Sequence, residues 1–268
     1  MSETKVFRVP TMGQRIRRFR ELRGMTQLNM EVALGLSFGH LSRIESDHVN
    51  PDKETVTKIA TVLKLRTCEL NYLLGVTVKP ASQEEIDAAI SEVKPYFEKK
   101  GVIAYLLDER WRYVAFSQSF INLFIGREKT NIALQRILGC PSPRVLLDAG
   151  SGASNTFSPD SHEQVLKTLL PYYYSQNSFM IGDHFFLDTA RLVKNLPKYK
   201  QFWTDLEKGQ FDTSFIPQDH RIEYFFIDNH TINAQFSREP LMTNSRFEMH
   251  DYQFPKKDLE RLDKTGML

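Results

Sequence analysis

Gly35-Leu36-Ser37 interrupts a helical pattern after little more than two turns and lets a second one begin at once. Thr26 supplies an N-cap oxygen for the first stretch, whose Met30, Ala33 and Leu34 fall inward. Ser37 is placed to cap the second, with Leu41 and Ile44 inward. The flanking sequence supplies further helices. Met12, Ile16, Phe19 and Leu22 recur at helical spacing, with Arg15, Arg17, Arg18, Arg20 and Arg23 covering the rest and Gly24 as the stop. Asp52 can cap a helix carrying Val56, Ile59, Ala60 and Leu63. Thr67 can cap another carrying Leu70, Leu73 and Leu74, which ends at Gly75.

A tight helix–glycine–helix between residues 26 and 46, held by three further helices, is helix-turn-helix geometry. The third helix then enters a DNA major groove with its N-terminal residues at base edges. Phe38, Gly39, His40 and Arg43 are the expected base-facing positions. An arginine bonds guanine bidentately, and a ring touches a thymine methyl or a base edge. Gln27, Ser42 and Arg17 are expected near the phosphates, where they set register and add salt-dependent affinity, and Ser37 is a further DNA-binding candidate.

The runs IRRFRELRGMTQ, GLSFGHLSRIES, NPDKETVTKIATVLKL and ELNYLLG resemble the lambda-repressor-like helix-turn-helix domain of XRE-family regulators over roughly residues 11–76. Two positions depart from that family's pattern. Glu31 stands where a small residue usually lets the two helices cross. Glu45-Ser46-Asp47 stands where the family has Glu-x-Gly.

Residues 77–100 read as a linker and a connecting helix. Ser82 and Glu85 form a capping box ahead of Ile86, Ala89, Ile90 and Val93, and Pro95 is expected to kink or end the helix. From Gly101 the period changes. GVIAYLLD and Tyr113–Ser117 are strand-like around a turn at Asp108–Trp111, and a helix carrying Phe120, Leu123 and Phe124 follows. Helices are expected at 131–138, at 161–174 with Val165, Leu169 and Tyr172 inward, and at 196–209. Strand-like runs return at 221–228, 231–236 and 245–254, the first two joined through Asp228-Asn229-His230. Residues 101–256 are thus expected to form a five-stranded antiparallel sheet with helices on one face. The fold class is multi-domain, an all-α helix-turn-helix domain followed by an α+β domain.

AYLLDERWRYVAFSQSFINLF, NIALQRILGCPSPRVLLDAG and LPKYKQFWTDL resemble the PAS-like ligand-binding domain of MmyB-like regulators over roughly residues 85–255. That resemblance implies a sensor for a small apolar molecule such as a fatty acid. Phe116, Phe120, Phe124, Phe202, Trp203, Tyr224 and Phe226 are the candidate pocket residues, with a packed aromatic core as the plain alternative.

VLLDAGSGAS at 145–154 imitates the nucleotide loop of S-adenosylmethionine-dependent methyltransferases. Such a loop must follow a buried parallel strand and open a helix, with an acid ending the next strand. Pro159 and the helical segment after it do not suit that context. A methyltransferase is one rival reading, and a DNA-independent interaction module is another. His184 and Asp188 lie one helical turn apart with no third ligand in spacing. No catalytic residue, metal or cofactor is expected, and the protein is read as not an enzyme.

Charge fits two partners. Residues 1–76 carry 12 basic and 8 acidic side chains, and the remainder 23 and 25. A basic module ahead of a near-neutral body points to a polyanion for the first part alone. Only two cysteines, Cys68 and Cys140, and no secretory pattern at MSETKVFRVP lead to the expectation of a cytoplasmic protein with no membrane partner. The expected whole is a ligand-responsive homodimer on operator DNA.

Overall fold

The computed structural model describes residues 10–125, 130–147, 159–180, 182–208, 220–227 and 230–268. The chain divides into two compact units, one of Met1–Pro80 with Phe179–His184, the other of Ala81–Ser178 with Phe185–Leu268.

The first unit contains α1 (Met12–Leu22), α2 (Gln27–Leu34), α3 (His40–Glu45), α4 (Lys53–Val62) and α5 (Thr67–Leu73). Side-chain oxygens start three of them: Thr11 accepts from Gln14 N–H, Thr26 from Asn29 N–H and Asp52 from Thr55 N–H. Gly35 ends α2 at φ 67°, a left-handed conformation that costs glycine nothing. Ile16, Phe19, Met30, Leu41, Ile44, Ile59, Leu63 and Leu73 are fully buried together. Each such side chain contributes about 1.5–3 kcal/mol. Phe179 and Met180 complete this core. The Phe179 ring lies 5.9 Å from Phe19 and 5.3 Å from Tyr72.

Several local expectations change. Ser37 does not cap α3, because the chain turns through Gly39 at φ 78° before the helix starts at His40. Ser37 instead accepts His40 N–H through its carbonyl. Thr67 is the first residue of α5, and Arg66 is its cap position. Ala33 is exposed, and Glu31 is buried in its place. Arg15 and Arg20 are buried too, which hydrogen bonding makes possible. Arg15 Nε donates to the Leu73 carbonyl at 3.1 Å.

The second unit opens with α6 (Gln83–Phe97), started by the Ser82–Glu85 capping box and running through Pro95 to Phe97. Strands β1 (Ala104–Leu107), β2 (Tyr113–Phe116), β3 (His220–Ile227), β4 (His230–Pro240) and β5 (Glu248–Gln253) form one antiparallel sheet, ordered β2-β1-β5-β4-β3. Asp228 and Asn229, the expected hairpin residues, lie outside the described residues. Between β2 and β3 come α7 (Gln118–Phe120), continued by a π-helical stretch Ile121–Ile125, then α8 (Thr130–Ile137), α9 (Ser142–Leu147), α10 (Pro159–Asn177), α11 (His184–Asn195) and α12 (Pro197–Glu207). Helix α13 (Lys256–Lys264) follows β5.

Side chains alternate across a strand, and β1 shows what each sheet face meets. Ala104 and Leu106 pack with Ala89, Val93 and Phe97 of α6. Tyr105 points to the other face, with Phe116, Phe120 and His250. Helices therefore cover both faces, not one. The turn at 108–111 forms as expected, with Trp111 N–H donating to the Asp108 carbonyl at 2.8 Å. Its neighbour Glu109 pairs with Arg246, which also reaches Glu85 of α6. Burial pushes the Glu109 carboxyl up from its ordinary value.

Candidate nucleic-acid interface

Helix α3 is six residues long, and both its ends are held by buried carboxylates. At the start, Glu31 of α2 reaches across the turn and accepts Leu41 N–H at 2.9 Å. Gly39, the cap residue, has no side chain with which to do this. At the end, Glu45 accepts from Arg20 Nε at 2.6 Å, Arg20 Nη2 at 3.0 Å and Gln27 Nε2 at 2.8 Å. The bond to Glu45 raises the Arg20 guanidinium above its ordinary value. Asp47 then turns at φ 61°, where asparagine and aspartate are tolerated and glycine is commonest. Its carboxylate receives Thr11 Oγ1 at 2.5 Å and Gly13 N–H at 3.1 Å. A Cβ at Gly13 would sit 2.2 Å from the Ile44 carbonyl oxygen, so α1 and the end of α3 are in close backbone contact. Both departures from the family pattern thus have a structural use. Glu31 fixes the start of α3, and Asp47 fixes its exit.

The outer surface of this frame presents most of the expected contact residues. Ser37, Ser42 and Arg43 are exposed, and Gly39 and His40 are half-buried. Phe38 is 89% exposed, an uncovered ring just ahead of the helix. Arg17 is exposed on α1 and donates to Glu21 at 2.9 Å, which raises its guanidinium above its ordinary value. Gln27 differs from expectation in part. It is exposed at the start of α2, but its amide is committed to Glu45, so it ties α2 to α3. Glu31, Glu45 and Asp47 were not among the candidate site residues. A buried acid on an otherwise apolar helical face was the available signal for Glu31.

The aromatic candidates separate into groups. Phe116 and Phe120 stack at 5.2 Å, and Phe120 and Phe124 lie 4.7 Å apart, against Phe225 of β3. Trp203 is elsewhere, fully buried among Tyr173, Tyr174 and Phe186 of the helices. Phe202 is half-buried, and the side chains of Tyr224 and Phe226 lie outside the described ones. The rings that join the two groups were missed. Tyr105 lies 5.0 Å from His250, His250 lies 6.2 Å from Trp111, and Trp111 lies 5.7 Å from Tyr173. His250 Nδ1 shares a 3.2 Å hydrogen bond with the Tyr105 hydroxyl, which lies 3.4 Å from that of Tyr252. The candidates therefore flank a continuous aromatic layer with a small polar centre.

Val145–Leu147, the apolar run of the methyltransferase-like motif, is helical in α9. The buried parallel strand that such a loop requires is not at this place, and every described strand pair is antiparallel. Residues 148–158 lie outside the described residues. Asp188 pairs with Arg191 at 2.8 Å. Among the described residues there is no cluster of three metal-ligating side chains and no helix long and apolar enough to cross a membrane.

A short third helix, locked on its inner side and polar outside, set after a tight glycine turn, defines a DNA-binding helix-turn-helix. Residues 16–70 match the helix-turn-helix family, so the chain carries an XRE-like DNA-binding domain of the transcription-regulator type. No curated protein matches the chain significantly.

Proposed function

We propose that the protein is a ligand-responsive, homodimeric transcription regulator that reads a specific operator. The observation that carries the reading is the two-sided build of α3. Leu41, Ile44 and Glu45 are buried, and Ser42 and Arg43 face outward beside the exposed Phe38. Phe38, Gly39, His40 and Arg43 read base edges, and Ser42 and Arg17 lie along phosphates. Two such domains on a two-fold dimer meet half-sites about 34–36 Å apart.

The second unit is the proposed sensor. Its order of two strands, a run of helices and three antiparallel strands supports the PAS-like reading. The aromatic layer around Tyr105 and His250 supports a small apolar ligand, such as a fatty acid, as its effector. Binding must differ between two arrangements of the protein if it is to change DNA affinity. The helical state of Val145–Leu147 favours a regulator over the methyltransferase reading of that segment.

Arg43→Ala tests the DNA reading. At a duplex selected from a random pool it is expected to cost about 1–3 kcal/mol, with little loss on random duplex. Equal losses on both would assign Arg43 to phosphate. The sensor reading is tested by mass spectrometry of small molecules released from denatured protein. A stoichiometric apolar compound that shifts DNA affinity is expected. An empty protein whose DNA affinity no fatty acid alters would refute the sensor reading.

A further inference from the structure

A recognition helix of six residues has little intrinsic stability, so something outside it must set its angle. Its cap residue, Gly39, offers no side-chain acceptor. Glu31 serves both sides of the turn. Its backbone carbonyl accepts Leu36 N–H at 2.9 Å and closes α2, and its carboxylate accepts Leu41 N–H at 2.9 Å and opens α3. The side chain is buried, in a helix whose neighbours Val32 and Ala33 are exposed. A polar side chain is not buried there without a partner, because an unsatisfied buried acceptor is costly.

We propose that Glu31 is a positioning residue for sequence readout, and that its carboxylate holds α3 at the angle that aims Phe38, His40 and Arg43 at base edges. This rests on the DNA-binding reading. Without the Glu31 bond, α3 keeps its apolar anchors Leu41 and Ile44 but loses the tie that fixes its N-terminal turn. Long-range attraction between basic side chains and phosphates depends far less on that turn's angle than base contacts do. The loss therefore falls on specificity. A glutamine keeps an acceptor oxygen at the same reach, so it conserves the function.

The test compares full-length wild type, Glu31→Gln, Glu31→Ala and Glu31→Leu. The probes are the best duplex that wild type selects from a random pool and a random-sequence duplex of equal length. Glu31→Ala is expected to lose at least tenfold on the selected duplex while staying within about twofold on the random one. Glu31→Gln is expected to keep the wild-type ratio. Leucine, which fills the space, stands in if alanine does not fold. Amide exchange at Leu41 is expected to accelerate in the alanine and leucine variants and not in the glutamine variant. Equal losses on both duplexes, no loss on either, or a glutamine variant that behaves like alanine would overturn the proposal. If wild type selects no duplex at all, the DNA-binding reading falls first and the positioning role falls with it.

Discussion

Replacing Glu45 by leucine should strongly destabilise the first unit, and replacing Arg20 by methionine at the same time should restore it. The Glu45 side chain is 3% exposed and that of Arg20 is 9% exposed, so water screens neither charge. Removing Glu45 deletes three hydrogen bonds, from Arg20 Nε, Arg20 Nη2 and Gln27 Nε2. It leaves Arg20 only its bonds to backbone and exposed groups, such as the Met25 carbonyl at 2.7 Å. Breaking one side of a buried pair costs about 3–5 kcal/mol. That is between about a fifth and all of the roughly 5–15 kcal/mol that stabilises a typical domain. With a slope of about 1 kcal/mol per molar urea for a small domain, the midpoint falls by several molar. Arg20→Met with Glu45→Leu replaces the pair by packed apolar groups, which is often neutral or stabilising. Urea titration of the full chain, followed by far-UV circular dichroism, measures the cycle. Both tryptophans, Trp111 and Trp203, lie in the second unit, so their fluorescence is the internal control. Single variants that each cost under about 1 kcal/mol, or a double variant as unstable as their sum, would refute the reasoning.

Two further predictions concern the first unit. Phe179→Ala removes a ring that touches Phe19 and Tyr72, and should lower that unit's stability by about 3–5 kcal/mol, read by the same titration. An unchanged midpoint would mean that the segment is not part of the core. Glu69 should make the unit acid-sensitive. Burial alone would raise its carboxyl, but hydrogen bonds from Arg66 and the charges of Arg66 and Arg23 hold it below the ordinary 4.5. Its contribution is therefore fully present above that value and is lost as pH falls through the lower folded one. Glu69→Gln should flatten the fall in stability below about pH 4.5 relative to wild type, and an identical profile would count against the pairing.

What could be read from the sequence was what depends on near neighbours. Thr26, Asp52 and Ser82 cap helices through oxygens three residues from their donors, and Gly35 ends α2 by its own φ. The strand-like runs at 101–108 and 221–228 became β1 and β3 for the same reason. The misses depend on space. Ser37 looked like the cap of α3, but Glu31 supplies the acceptor from another helix. The buried face of α10 carries Leu166 and Leu170, one residue out of phase with Val165 and Leu169, because adjacent leucines at 169 and 170 offer two neighbouring apolar faces. Phe179 reaches a core more than 100 positions away in sequence, which no local period signals. Trp203 and Phe116 are both aromatic, but only their neighbours show that they belong to different parts of one layer. Helix α13, with Leu262 buried, was not anticipated.

Selection of duplexes from a random pool by the full-length protein, sequenced after several rounds and repeated at two salt concentrations, tests the central claim most directly. The account predicts enrichment of one motif with two related half-sites about 10–10.5 base pairs apart, and affinity that falls with salt. A pool that stays random, or binding that ignores salt, would contradict it.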